Sequence, residues 1–168
     1  MRFVLVLALA LAAAACAARS TSTTAPTAAP SAAPTDGYDA ALAERLGADE
    51  RGMRSYVVAF LVPGPNRDQP PEEAKALMTA HLANIVRMAD EGTLVLAGPF
   101  RDEGPYAGIY VFAVETVEEA AALTATDPAI QAGRLAMELH PWYGSAALGE
   151  LNALHRRIQR TPLVDAKR

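Results

Sequence analysis

The chain of 168 residues has one cysteine, Cys16, so it can form no intramolecular disulfide and no cysteine-based metal cluster. Its net charge is −4 and its lysines and arginines form no basic stripe. A phosphodiester backbone is bound by clustered cations, so this acidic balance argues against nucleic acid as a partner. No glycine-rich phosphate loop, no G-x-S-x-G nucleophile elbow and no H-x-x-x-H pair occurs. A metal site would require His81 and His140 to converge with carboxylates from distant positions, so neither metal nor cofactor is expected. Aromatic residues make up only 6% of the chain, with a single tryptophan, Trp142. The longest apolar run, residues 3–15, is too short for a comfortable membrane span.

What is present begins with that run. Met1-Arg2, then Phe3 to Ala15, then small residues, is the pattern of a secretory signal peptide over residues 1–15. Cys16 follows Ala13-Ala14-Ala15, where a bacterial lipoprotein carries the cysteine that is lipidated after cleavage. Ala13 stands where a larger residue is usual, and Leu11 lies two positions too early. The alternative is cleavage at an Ala-x-Ala site that frees the domain. Both readings export the protein to the cell envelope or periplasm, lipid-anchored through Cys16 in the first and secreted in the second. Residues 16–37 are nearly all Ala, Ser, Thr and Pro and cannot bury enough apolar surface to offset their ordering entropy, so they read as a tether.

From Tyr38 onward the pattern is that of one domain, with a helical extension over 38–52, a main domain over 53–147 and a C-terminal helix and tail over 148–168. Tyr38 to Leu46 reads as a short helix stopped by Gly47. Ser55 to Val62 is rich in β-branched and aromatic residues and bounded by Pro63-Gly64-Pro65, a strand followed by a loop. Pro71-Glu72-Glu73 opens a helix with a proline suited to its first turn and acids suited to its dipole. Leu77, Met78, Leu82, Ile85, Met88 and Ala89 recur at three and four before Gly92 ends it. Thr93 to Ala97 and Gly108 to Val114 read as strands of a hairpin across the charged turn Arg101 to Pro105. Thr116 and Glu119 form a capping box for a helix that breaks at Asp127-Pro128, with a further helical turn to Gly133. Arg134 to Trp142 alternates as a half-buried strand, and Leu148 to Gln159 reads as a last amphipathic helix.

The order is β-α-β-β-α-β, an α+β, ferredoxin-like arrangement: an antiparallel sheet with its helices on one face. In the first strand, Tyr56, Val58 and Phe60 on one side and Val57, Ala59 and Leu61 on the other make both faces apolar. The face without helices then needs a cover, and a second copy of the chain is the economical one.

His81-Leu82, the run Gly92-x-Leu94-x-x-x-Gly98-Pro99, Gly108-Ile109-Tyr110, Asp127-Pro128 and Pro141-Trp142 together resemble the YciI-like (YCII-related) family, over about Met53 to Ala147. The stretch from Tyr38 looks like extensions of exported members. The resemblance implies a dimeric α/β barrel, with two ferredoxin-like sheets packed face to face. It also implies a histidine and an aspartate facing a cleft, which match His81 and Asp127. Some relatives are associated with dehydrohalogenation of chlorinated hydroxyquinols, a substrate not transferred to this chain.

His81 lies four residues after Leu77 and four before Ile85, on the buried stripe of its helix, where an imidazole must be hydrogen-bonded or line a cavity. Asp127 could accept from one ring nitrogen and leave the other as a general base. The plainer alternatives are a satisfied core histidine and an aspartate that merely caps the helix beginning at Pro128. Gly98 and Pro99 offer backbone groups to a small-molecule ligand or simply make a turn. Arg101 and Tyr106 could reach an anionic or phenolic substrate. His140, Trp142 and Tyr143 read as part of the dimer seam. The expectation is thus cofactor-free lyase or isomerase chemistry on a small aromatic or enolisable compound, with His81 as base and Asp127 as its orienter. The competing expectation is a module that binds small molecules or serves the envelope without turnover.

Overall fold

The computed structural model describes residues 37–164, so the leader, the tether and Cys16 lie outside the described residues. All described elements fall within one compact unit, Tyr38–Arg168. They are helix α1 (Ala40–Arg45), strand β1 (Met53–Pro63), helix α2 (Pro71–Asp90), strands β2 (Leu94–Pro99) and β3 (Gly108–Phe112), helices α3 (Val117–Thr124) and α4 (Pro128–Gln131), strand β4 (Leu135–Ser145), a 3₁₀ turn (Ala146–Glu150) and helix α5 (Leu151–Ile158).

The four strands form one antiparallel sheet in the order β2-β3-β1-β4, the order of a ferredoxin-like fold. β1 runs through the middle, paired along its length with β4, from Met53 opposite Ser145 to Pro63 opposite Leu135. β4 is an edge strand with Pro141 at mid-length, opposite Val57.

Local chemistry fixes the helices. Pro71 opens α2, Glu72 and Glu73 sit in its first turn, and Gly92, at φ +75, turns the chain out after its end. Thr116 and Glu119 form the expected capping box on α3. Hydrogen bonds to the backbone and to the Thr116 hydroxyl hold the Glu119 carboxyl below its ordinary pKa.

α2, α3 and α4 lie on one face of the sheet, where Val57, Ala59, Leu61, Tyr110 and Phe112 pack with Met88, Ala120 and Ala129. The other face holds a smaller cluster of Tyr56, Val58, Val95 and Val111. A bulge in β2 puts one extra residue between Leu94 and Leu96, so both Val95 and Leu96 join that second cluster.

Three local expectations need correction. Leu148 to Gln159 is not one helix: the segment begins as a 3₁₀ turn capped by the Ser145 hydroxyl, which accepts from the Ala147 N–H, and becomes α-helical only at Leu151. Gly98 and Pro99 are not a turn but the last residues of β2, opposite Ile109 and Gly108. The second face is not wholly bare, because Leu148 packs against its cluster.

Candidate functional site

His81 and Asp127 are 46 positions apart and meet between α2 and α4. The imidazole Nδ1 of His81 lies 2.6 Å from Asp127 Oδ2, and both side chains are buried. The other carboxylate oxygen, Oδ1, accepts the Ala129 N–H at 2.8 Å. Asp127 is therefore the N-cap of α4 and the partner of His81 at once, one oxygen for each task. A carboxylate only accepts, so His81 donates to it through Nδ1–H, and Nε2 is the nitrogen left for another partner.

Nε2 is not left to solvent. The Tyr110 hydroxyl, carried by β3 on the helix-covered face, stands 3.3 Å from it, with the two rings stacked at a centroid distance of 6.2 Å. Burial first, and the nearby Asp127 charge second, push the Tyr110 phenol far above its ordinary pKa, so it remains an O–H donor. The result is a buried row, Asp127–His81–Tyr110, that ties α4, α2 and the sheet together.

One turn along α2 is a second polar group. Asn84 is buried, and its Oδ1 accepts from Arg87 Nη2 at 2.9 Å and from the Thr126 hydroxyl at 3.2 Å. Its Nδ2 has no hydrogen-bond partner among the described residues. The buried residues of α2 are thus His81, Asn84 and Met88, whereas Met78, expected on the apolar stripe, is 42% exposed. The stripe is polar here because it faces the Thr126-Asp127 step.

The other expected ligand-binding residues do not join His81. Tyr106 packs on Phe60 at 4.8 Å between ring centroids, and Phe60 belongs to the second cluster, on the far face of the sheet from Tyr110. Tyr106 lies in the loop between β2 and β3, where Phe100 also approaches it, at 6.4 Å between ring centroids. Arg101 is exposed in that loop, and no hydrogen bond links Arg101, Gly98 or Pro99 to the pair. His140 lies edge-on to Phe60 at 5.8 Å, and Trp142 tilts against Tyr56. Tyr143 donates its hydroxyl to Asp49, which lowers the Asp49 pKa.

Asn84 and Thr126 escaped the sequence reading, and Tyr110 entered it only within the family run Gly108-Ile109-Tyr110, with no role in the site. For Tyr110 a signal existed, since a tyrosine on the core face of a strand needs a partner for its hydroxyl. Among the described residues no three His, Cys, Asp or Glu side chains group as metal ligands.

The family model of the YCII-related domain matches residues 56–142, just over half of the chain, and this span runs from β1 into β4 and includes His81, Tyr110 and Asp127. A search of curated proteins gives no match.

Proposed function

The chain belongs to the YCII-related domain family, and from that membership we propose that it is an exported member whose His81 and Asp127 carry cofactor-free acid/base chemistry of lyase or isomerase type. The observation behind this reading is the division of labour on Asp127. With Oδ1 fixed by the Ala129 N–H, Oδ2 has one place to go, and it pins the Nδ1–H tautomer of His81. Nε2 is then the base that takes a proton from a small aromatic or enolisable compound. Tyr110 is the resting partner of that nitrogen, and substrate replaces its hydroxyl there.

A homodimer completes the reading. In support of a second copy on the open face are its aromatic side chains Phe60, Tyr106 and Trp142, the last two 37% and 42% exposed. The Cys16 leader supports export, with a lipid anchor at the envelope.

One observation favours a second reading, a non-catalytic binding or structural module. His81, Asp127 and Tyr110 are 6%, 0% and 2% exposed, as befits a polar pin between α2 and the sheet. The test is NMR of ¹⁵N-histidine-labelled protein against a panel of phenols and β-keto acids, with deuterium exchange of their acidic C–H positions. Acid/base chemistry predicts a shifted His81 Nε2 resonance and exchange that His81→Ala abolishes. Exchange equal to buffer and an unmoved Nε2 across the panel would sink the proposal in favour of the module.

A further inference from the structure

We infer that α5 and residues 159–164 form a docking surface for an anionic lipid bilayer, independently of the chemistry at His81. The net charge conceals a skew. Five of the fifteen basic residues lie in the last eighteen positions against one acid, whereas the first 150 residues carry ten basic and eighteen acidic side chains. Within the described part of this segment, Arg157 and Arg160 are exposed and form no ion pair among the described residues. Arg156 reaches Asp90 at 3.5 Å, an exposed pair.

Beside these cations stand aliphatic side chains that the core does not use. Leu154, Ile158 and Leu163 are 49%, 79% and 56% exposed. Leu154 and Ile158 are one helical turn apart, and Arg157 lies between them in sequence. The helix itself is fastened down: the Asn152 amide donates to the carbonyl of Leu94 at 2.7 Å and to that of Ala89 at 3.2 Å. An apolar groove of about 700 Å³ opens between α5, α2 and β2, with Leu154, Ile158 and Leu163 on its lip and Ile85 and Leu96 on its walls.

Aliphatic side chains flanked by guanidinium groups match a bilayer interface, where the former enter the acyl boundary and the latter stay level with lipid phosphates. A polyphosphate chain would engage the arginines and leave Leu154 and Ile158 idle. At eight residues α5 is far too short to cross a bilayer, so it would lie on the surface.

Sedimentation of the folded unit 38–168 with vesicles tests this, using equal parts phosphatidylglycerol and phosphatidylcholine against phosphatidylcholine alone. Binding to the anionic vesicles alone is expected, and it weakens with salt. Each basic residue at such a surface is worth about fivefold in partitioning, so Arg157→Gln with Arg160→Gln should lower it about thirtyfold. Lysine at both positions should restore it. Leu154→Ser with Ile158→Ser should lower it by about tenfold or more while circular dichroism stays unchanged. The inference is overturned by equal partitioning onto both vesicle types, by indifference to the serine pair, or by tighter binding to duplex DNA than to vesicles at the same salt.

Discussion

The Tyr110 hydroxyl lies 3.3 Å from His81 Nε2, the ring nitrogen that Asp127 does not use. Each end of the imidazole thus has an assigned neighbour, one a carboxyl group and one a phenol. A pair read as a two-residue couple is a three-residue row, and each member can be perturbed separately.

Asp127→Asn separates the two duties of the carboxylate. The amide oxygen can still cap α4 by accepting from Ala129, but the amide nitrogen would then face Nδ1 of His81 as a donor. The expected outcome is a switch of His81 to the Nε2–H tautomer with the fold retained, read from ¹⁵N chemical shifts. Asp127→Ala removes the cap and strands a buried imidazole, at a cost of about 3 kcal/mol in urea unfolding.

Tyr110→Phe deletes a buried hydroxyl and leaves Nε2 without a partner, which should cost about 1 kcal/mol. The alkaline limb carries a further sign. The folded pKa of Tyr110 is raised, so its contribution to stability is complete below the unfolded value near 10 and fades as pH rises toward the folded one. Stability measured from pH 9 to 11.5 should therefore fall more steeply in the wild type than in Tyr110→Phe.

Acid should loosen the α3 cap. The Glu119 pKa is depressed in the folded state, so its contribution is present above the unfolded carboxyl value and is lost as pH falls through the lower folded value. Urea midpoints at pH 7 and pH 3 are expected to differ less in Glu119→Gln than in the wild type. An equal acid loss in both proteins would remove the capping box from the account.

Gly64→Ala should destabilise the chain by about 3 kcal/mol through overpacking. A Cβ at Gly64 would run into the Gly133 carbonyl oxygen, and that obstacle is backbone. The two segments are held together by the Gly64 N–H, which donates to Arg134 O at 2.9 Å. Thermal unfolding of the variant checks the expectation, and an unchanged midpoint would count against so close an approach.

The strands, the capping box and the α2 boundaries were legible because each rests on residues close in sequence. His81 and Asp127 were legible as candidates for the same reason: one lies on a buried stripe, the other at a cap before proline. Their partner Tyr110 was not, because alternation along β3 tells which face a side chain takes and not which helix residue waits there. Tyr106 sits in a loop without any period, so nothing local could place it across the sheet from His81. The break at Leu151 was hidden because Leu151, Leu154 and Ile158 repeat helically whether or not the preceding turn is α-helical.

Pro141 has a consequence for how chains meet. β4 is the longer edge of the sheet, with eleven residues, and a bare edge of that length is a template onto which a neighbour's strand can add without limit. Proline at its middle supplies no N–H, so no continuous ladder can grow there. A neighbour's strand is turned away from this edge, while the apolar face carrying Tyr56, Val58 and Val111 is left untouched by that proline.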